Sequence, residues 1–277
     1  MSGIHTTAPI FSAHTLTQAL QPLGVACEVV ARTESTNSDV LVRARKRMVD
    51  LPPALLRVAE EQTAGRGRFD RHWVSARGAA LTFSYGCQWP IVQQGLVGLS
   101  LVVGVAIQQG LQKLGVTVQL KWPNDILYQG RKLAGVLVES VIKDQGGYVV
   151  IGIGINLDVP SHVRMQIAQP VADLQEALHA EVGTPPNPDT LPQAALLAVV
   201  QTLHAHVQTF RQHGFAPFHA QWNQLHAFQD KPVQLLDGEV VVATGLTRGV
   251  DEYGQLLLET SSGMRRLRSG DISLRPL

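Results

Sequence analysis

At 277 residues, with 45% hydrophobic and 16% charged side chains, the chain has the composition of a folded protein with a sizeable core, which excludes disordered and collagen-like classes. A formal net charge of +1 provides no global field for steering DNA or an anionic membrane, so any polyanion site has to be local. Cys27 and Cys87 lack neighbours at metal-ligand spacing, no apolar run reaches the roughly 20 residues of a spanning helix, and no secretory signal is visible, so the expectation is a cytoplasmic protein with buried free thiols.

Residues 1–15 read as a loose leader, and Leu16 to Leu20 as a short helix ending near Pro22 and Gly24. Cys27 to Ala31 suits a strand. Ser35 or Thr36 then caps a helix running to Arg47, which places Ser35, Thr36 and Asn37 at a helix N-terminus, where backbone donors can hold a polar ligand head group. The cations Arg43, Arg45, Lys46 and Arg47 fall in that helix's last turn and read as a solvated face. Leu55 to Glu60 is a second strand feeding the segment EQTAGRGRFDRHWVS, residues 61–75, and Leu81 to Trp89 alternates as a third strand. Leu96, Leu99, Val103, Ile107, Leu111 and Leu114 recur at helical steps and predict one long helix across the sheet.

Val116 to Lys121 and Leu133 to Val141 read as strands flanking a turn from Trp122 to Lys132, and Gly147 to Leu157 as a further strand. Asp158 to Pro170 has no period and reads as a loop, while Leu191 to Gly214 and Phe215 to Phe228 read as helices. From Lys231 the pattern becomes short strands between glycine turns (Val233 to Leu236, Glu239 to Leu246, Gln255 to Glu259, Ile272 to Leu274), as in a small barrel. The fold class is therefore α+β: a mixed-sheet domain over residues 1–230 and a β-barrel over 231–277.

The Gly-Arg segment carries most of the chemistry. Gly65 and Gly67 permit close backbone approaches, Arg66 and Arg68 offer planar donor forks for carboxylate or phosphate, and Arg71 and Trp73 add a cation and a stacking face. The sequence KWPND, residues 121–125, followed by Lys132 in RKLAG, sets two lysines, an asparagine and a carboxylate together, a set suited to phosphate and Mg²⁺ chemistry. Gly152, Gly154 and Asn156 in GIGIN begin like a dinucleotide fingerprint but lack its third glycine and following helix. A P-loop and a GxSxG elbow are absent, and the scattered histidines do not form a metal set.

In their order along the chain, STN, EQTAGRGR with its following arginine and tryptophan, KWPND, RKLAG and GIGIN resemble a biotin-protein ligase from about Val29 to the end. Phe69 and Asp70 depart from the small or basic residues common there. The resemblance implies a class II synthetase-like catalytic domain with an SH3-like closing barrel, the substrates biotin and ATP with Mg²⁺, a biotinyl-5′-AMP intermediate, and transfer to a lysine of a biotin carboxyl carrier domain. It further implies a monofunctional enzyme without a DNA-binding winged helix or repressor role, neither DNA nor membrane as partner, and leaves a homodimer and the Mg²⁺ ligands open. By the same resemblance, Ser35, Thr36, Asn37 and Gln62 hold the ureido ring, and Arg66, Gly67 and Arg68 close over the ligand. Lys132 contacts the carboxylate and α-phosphate, Trp73 and Asn156 meet the adenine, and Asp125 orients the incoming lysine. The loop from Gly65 to Arg71, and the segment from Asp158 to Pro170, would then act as lids. A lipoate ligase is the rival within this chemistry, but its RRxxGGG stretch is absent. A nucleic-acid-binding regulator is the rival outside it.

Overall fold

Apolar alternation over the first 156 residues produces one sheet. In the computed structural model, which describes residues 8–69, 71–89, 95–143, 146–167, 169–183, 187–268 and 272–277, helix α1 (Ala13–Leu20) begins where Ser12 Oγ accepts the Thr15 amide. Strand β1 (Ala26–Thr33) leads into α2 (Thr36–Arg47), which Ser35 caps, with Asp39 in the first turn and Arg45, Lys46 and Arg47 in the last, the charge order its dipole favours. β2 (Ala54–Gln62) returns parallel to β1, and β3 (Ala80–Trp89) lies antiparallel to β2. Helix α3 (Leu99–Gln112) then carries the chain to β4 (Gln119–Lys121) at the far edge. With β5 (Asp125–Tyr128), β6 (Arg131–Lys143) and β7 (Gly146–Asn156), the sheet has the order β1-β2-β3-β7-β6-β5-β4.

The two-residue period of the strands sorts side chains between two faces. Leu56, Val58, Phe83, Tyr85, Val149, Ile151 and Ile153 join the main core, where α3 packs with α6 (Leu191–His213). Leu55, Tyr148 and Val150 instead form a smaller core with Val40, Leu41 and Ala44 of α2. On this second face β7 continues with Gly152, Gly154 and Asn156, so the sheet is bared just beyond the N-terminus of α2. The cleft lies there.

After β7 come α4 (Ser161–Arg164), α5 (Leu174–Val182), α6 and α7 (His219–Leu225). A five-stranded antiparallel sheet of SH3-like character follows, built from β8 (Pro232–Asp237), β9 (Val240–Val250), β10 (Leu256–Thr260), β11 (Gly263–Leu267) and β12 (Ile272–Pro276) in the order β11-β10-β9-β8-β12. It is pinned to the preceding elements by His219 Nε2 at 2.7 Å and Asn223 Nδ2 at 3.2 Å from the Val250 carbonyl, and by Trp122 Nε1, which donates to Gly254 O at 3.3 Å. Among the described residues no helix is long and apolar enough to cross a membrane.

Several expectations need correction. The predicted turn from Trp122 to Lys132 contains strand β5, because Gln129 (φ 48°) and Gly130 (φ 76°) form a tight hairpin that leaves room for one. The segment from Asp158 to Pro170 holds the short helix α4, and α5 follows where Asp173 accepts the Glu176 amide, a cap the apolar pattern did not signal. The predicted helix from Phe215 to Phe228 shrinks to α7, since Ala227 N turns away to donate to Leu120 O. Strand β11 was hidden because most of its side chains are exposed and do not alternate. Of the two free thiols, Cys87 is buried but Cys27 only half-buried; burial pushes them up to about 12 and about 11. Residues 1–7 of the expected leader, Asp70, Ala168 and residues 269–271 lie outside the described residues.

Candidate active site

The cleft has a polar end and a charged end on one continuous floor. At the polar end, Ser35, Thr36 and Asn37 begin α2 and are all about 3% exposed. Thr36 donates from both its amide (2.7 Å) and its hydroxyl (3.0 Å) to Gln62 Oε1. Ser84 Oγ lies 2.7 Å from Thr36 Oγ1 and 2.5 Å from Asn37 Oδ1. Gly152 makes this packing possible, because a Cβ there would stand 2.4 Å from Asn37 Oδ1. The result is a buried, hydrogen-bonded set of acceptors and hydroxyls that can bind a small polar ring with N–H and C=O groups.

The segment over the floor folds back on itself. Gly67 N donates to Arg71 O at 2.7 Å and Trp73 N to Gly65 O at 2.9 Å, with a bridge between Arg66 and His72. Gly65 is required because a Cβ would lie 2.5 Å from Trp73 O. Arg66 forms a two-pronged ion pair with Glu139, 3.1 Å at each nitrogen. The Arg68 guanidinium sits 4.6 Å from the Phe69 ring centre, with Nη1 3.5 Å from Asn124 Oδ1. Trp73 lies flat against β7, and its Nε1 is buried without an acceptor among the described residues. Gly154 allows this, since a Cβ would stand 2.3 Å from the indole. Gly154→Ala is accordingly expected to cost about 1–3 kcal/mol of overpacking and to lower the melting temperature by several degrees, about 2–4 °C per kcal/mol, measured by calorimetry.

At the charged end Asp125 stands between two ammonium groups, Lys132 Nζ at 2.6 Å and Lys121 Nζ at 3.4 Å. Burial pushes the Asp125 carboxyl up, but Lys132 and then Lys121 outweigh it and hold it below the usual carboxylate range. Burial likewise lowers Lys121 against the pull of Asp125, with Arg275 of β12 and Lys132 adding repulsion. Lys132 reaches across Gly135 to within 5.7 Å of the Trp73 ring centre. Its backbone is fixed by Pro170 O, by Ala172 N and by Asn156 Nδ2, which also donates to Ala172 O at 2.8 Å. Ile272 to Arg275 of β12 complete the wall.

The structure thus brings Ser35, Thr36, Asn37, Gln62, Arg66, Gly67, Arg68, Trp73, Asp125, Lys132 and Asn156 into one cleft. Asn156 uses its Nδ2 to hold backbone together. Lys121, Ser84, Glu139 and Arg275 stand in or beside the cleft without having been singled out as site residues; Lys121 alone had a signal, its place at the head of KWPND. Mg²⁺ does not fit the side chains as a protein-built cage: both Asp125 oxygens face lysines, and no group of three or more metal-ligating side chains occurs among the described residues.

Comparison with known proteins places this geometry. Residues 29–156 match the Biotin/lipoate A/B protein ligase family, and residues 230–275 the Biotin protein ligase C terminal domain. The chain is 37% identical over 254 residues to the bifunctional ligase/repressor BirA of Escherichia coli, covering 91% of this chain and 75% of that one. It is 33% identical over 254 residues to the biotin--[acetyl-CoA-carboxylase] ligase of Mycobacterium tuberculosis, covering 88% and 87%. The Aquifex aeolicus biotin protein ligase solved with biotin and ATP superposes with a TM-score of 0.73 at 27% identity, covering 91% and 99%. The polar end, the charged end and the SH3-like wall beside the charged end are therefore parts of a ligase, and the chain belongs to the biotin protein ligase family.

Proposed function

We propose that this cleft condenses biotin with ATP to biotinyl-5′-AMP, releasing pyrophosphate, and then passes the biotinyl group to a lysine of a biotin carboxyl carrier domain. The observation that supports this most is the union on one floor of a buried acceptor-and-hydroxyl set with a Lys-Asp-Lys array, the two chemistries that a ureido ring and a carboxylate-phosphate pair require. The Aquifex aeolicus relative solved with biotin and ATP supports the same pairing of ligands.

In this reading Ser35, Thr36, Asn37 and Gln62 receive the ureido ring, with Ser84 completing the set. The biotin carboxylate then lies toward Lys132, and one of its oxygens attacks the α-phosphorus while the bond to pyrophosphate breaks. Negative charge gathers between carboxylate and phosphate, so Lys132 and Lys121, held ready by Asp125, stabilise that arrangement more than the separate reactants. Trp73 offers its indole face to the nucleotide, beside Asn156, while its Nε1 stays buried against β7. In the second step the carrier lysine needs its neutral form, about one part in 2,500 at pH 7 for an unperturbed amine. Asp125, kept ionised but bonded to both lysines, orients the arriving amine once Lys132 turns to the phosphate; the neutral amine attacks the acyl carbon, AMP leaves with the bond electrons, and the spare proton on nitrogen passes to water. Mg²⁺ would enter with the ATP phosphates rather than in a site built by Asp125, and would add charge neutralisation there.

The Gly65 to Arg71 segment, through Arg66 and Arg68, keeps the anhydride from water between the steps. Arg68→Gly removes one charge-assisted contact worth about 1.5 kcal/mol, so free biotinyl-AMP is expected to escape about tenfold faster and to label bystander proteins. Bystander labelling in a mixture of carrier and unrelated protein checks this. The reaction itself is tested with biotin, ATP, Mg²⁺ and an apo-carrier: mass addition on one carrier lysine supports the reading. Lipoate transfer, or steeply salt-dependent DNA binding in its place, counts against it.

A further inference from the structure

Glu139 links the polar end of the cleft to the segment that lies over the floor. It lies on β6 opposite Val150 of β7, on the same face as Gly152 and Asn37, and its side chain is 22% exposed. One of its oxygens, Oε2, accepts from Asn37 Nδ2 at 3.0 Å and from Arg66 Nη1 at 3.1 Å; the other, Oε1, accepts from Arg66 Nη2 at 3.1 Å. The carboxylate therefore touches both the buried start of α2 and the segment that covers the floor, although 102 and 73 residues separate it from those partners.

The chemistry of each contact is directional. An asparagine amide can be turned by half a rotation, exchanging its donor and acceptor. At Asn37 an anion on the Nδ2 side forbids that exchange, because the turned amide would set Oδ1 against a carboxylate. The Leu137 carbonyl, 3.4 Å from Nδ2, adds to the same preference, and Ser84 Oγ takes Oδ1 on the other side. Oδ1 consequently stays over Gly152 on the cleft floor as an acceptor. At the flap, the fork-to-carboxylate geometry fixes the Arg66 plane as well as its position, which a single hydrogen bond would not do.

We propose that Glu139 is a positioning residue for biotin activation: through one carboxylate it sets the acceptor orientation of Asn37 and seats Arg66 over the ligand, so that head-group binding and flap closure depend on each other. The inference rests on the biotin reading above. It predicts that weakening Glu139 changes biotin binding and adenylate retention together, whereas a residue that only supports β6 would lower the amount of active enzyme without moving either.

The test is steady-state pyrophosphate release, with free biotinyl-AMP measured by chromatography, for wild type, Glu139→Gln, Arg66→Gln and the double variant, each checked for cooperative melting. Glu139→Gln is expected to raise the biotin KM about tenfold and to release biotinyl-AMP several-fold faster, with the ATP KM within about twofold of wild type. Because the two residues act as a unit, the double variant should be less impaired than the product of the single effects. Unchanged biotin KM and adenylate release in a folded Glu139→Gln protein, or strictly multiplicative effects, overturn the proposal. Should Glu139→Gln not fold, Glu139→Asp decides, since it keeps the charge but retracts the carboxylate by one methylene; both readouts must move there too, and unchanged values overturn the idea. Wild-type protein that releases no pyrophosphate from biotin and ATP would instead refute the underlying biotin reading, so the two failures are distinguishable.

Discussion

Lys132→Ala is expected to lower pyrophosphate release from biotin and ATP by about 10²–10³-fold while leaving biotin binding nearly intact, the signature of a charge that acts on the transition state. The lysine has no substitute in place. Its Nζ lies 2.6 Å from Asp125 and 5.7 Å from the Trp73 ring centre, and its backbone is pinned by Pro170, Ala172 and Asn156. Lys121 Nζ stands at a different point, 3.4 Å from the other Asp125 oxygen, so its charge adds to that of Lys132 without replacing it where the bond forms. Lys132→Arg should recover little, because a planar, spread guanidinium does not place one compact charge at the point where Lys132 Nζ meets Asp125. Single-turnover kinetics with separately measured biotin affinity checks both variants; a rate within tenfold of wild type for Lys132→Ala would show that the catalytic charge sits elsewhere.

Asp125→Ala should be the most destabilising change in the site, by about 3–5 kcal/mol, because it strands two ammonium groups beside each other in a largely buried place. With about 2–4 °C per kcal/mol, the melting temperature should fall by on the order of 10 °C. The pH dependence carries a sign. In the wild type the Asp125 carboxyl titrates below its unfolded value, so its contribution is complete above the ordinary range near pH 4 and disappears as pH falls through the lowered folded value. In the variant that acid-side contribution is missing. Lys121, without Asp125 to favour its charge, should titrate lower still, so the variant should regain stability as pH rises through the lowered lysine value. Calorimetric scans from pH 3 to pH 10 test this, and parallel curves for the two proteins would contradict it.

Much of this site could be read from the sequence because its residues are locally encoded. A cap at Ser35 or Thr36 is legible because a polar pair precedes a helical pattern, and the structure gives that place to Ser35; the glycines of GIGIN are visible as a motif, although their work is to clear the floor of a strand for Asn37 and Trp73. Contacts that depend on tertiary register were not legible. Glu139 is an ordinary strand glutamate until pairing of β6 with β7 brings it beside Asn37, and Arg275 becomes part of the wall only because α7 and Gly254 dock the second sheet. The same limit explains the fold corrections: β11 has no buried face to pattern, and β5 is short enough for turn residues to mask it.

The central claim is that one cleft joins a vitamin's carboxylate to the α-phosphate of ATP. Its most direct test is exchange of labelled pyrophosphate into ATP by the purified protein, with no carrier present. The account predicts exchange that appears when biotin is added and vanishes when it is withheld. Folded protein that shows no biotin-dependent exchange would contradict it.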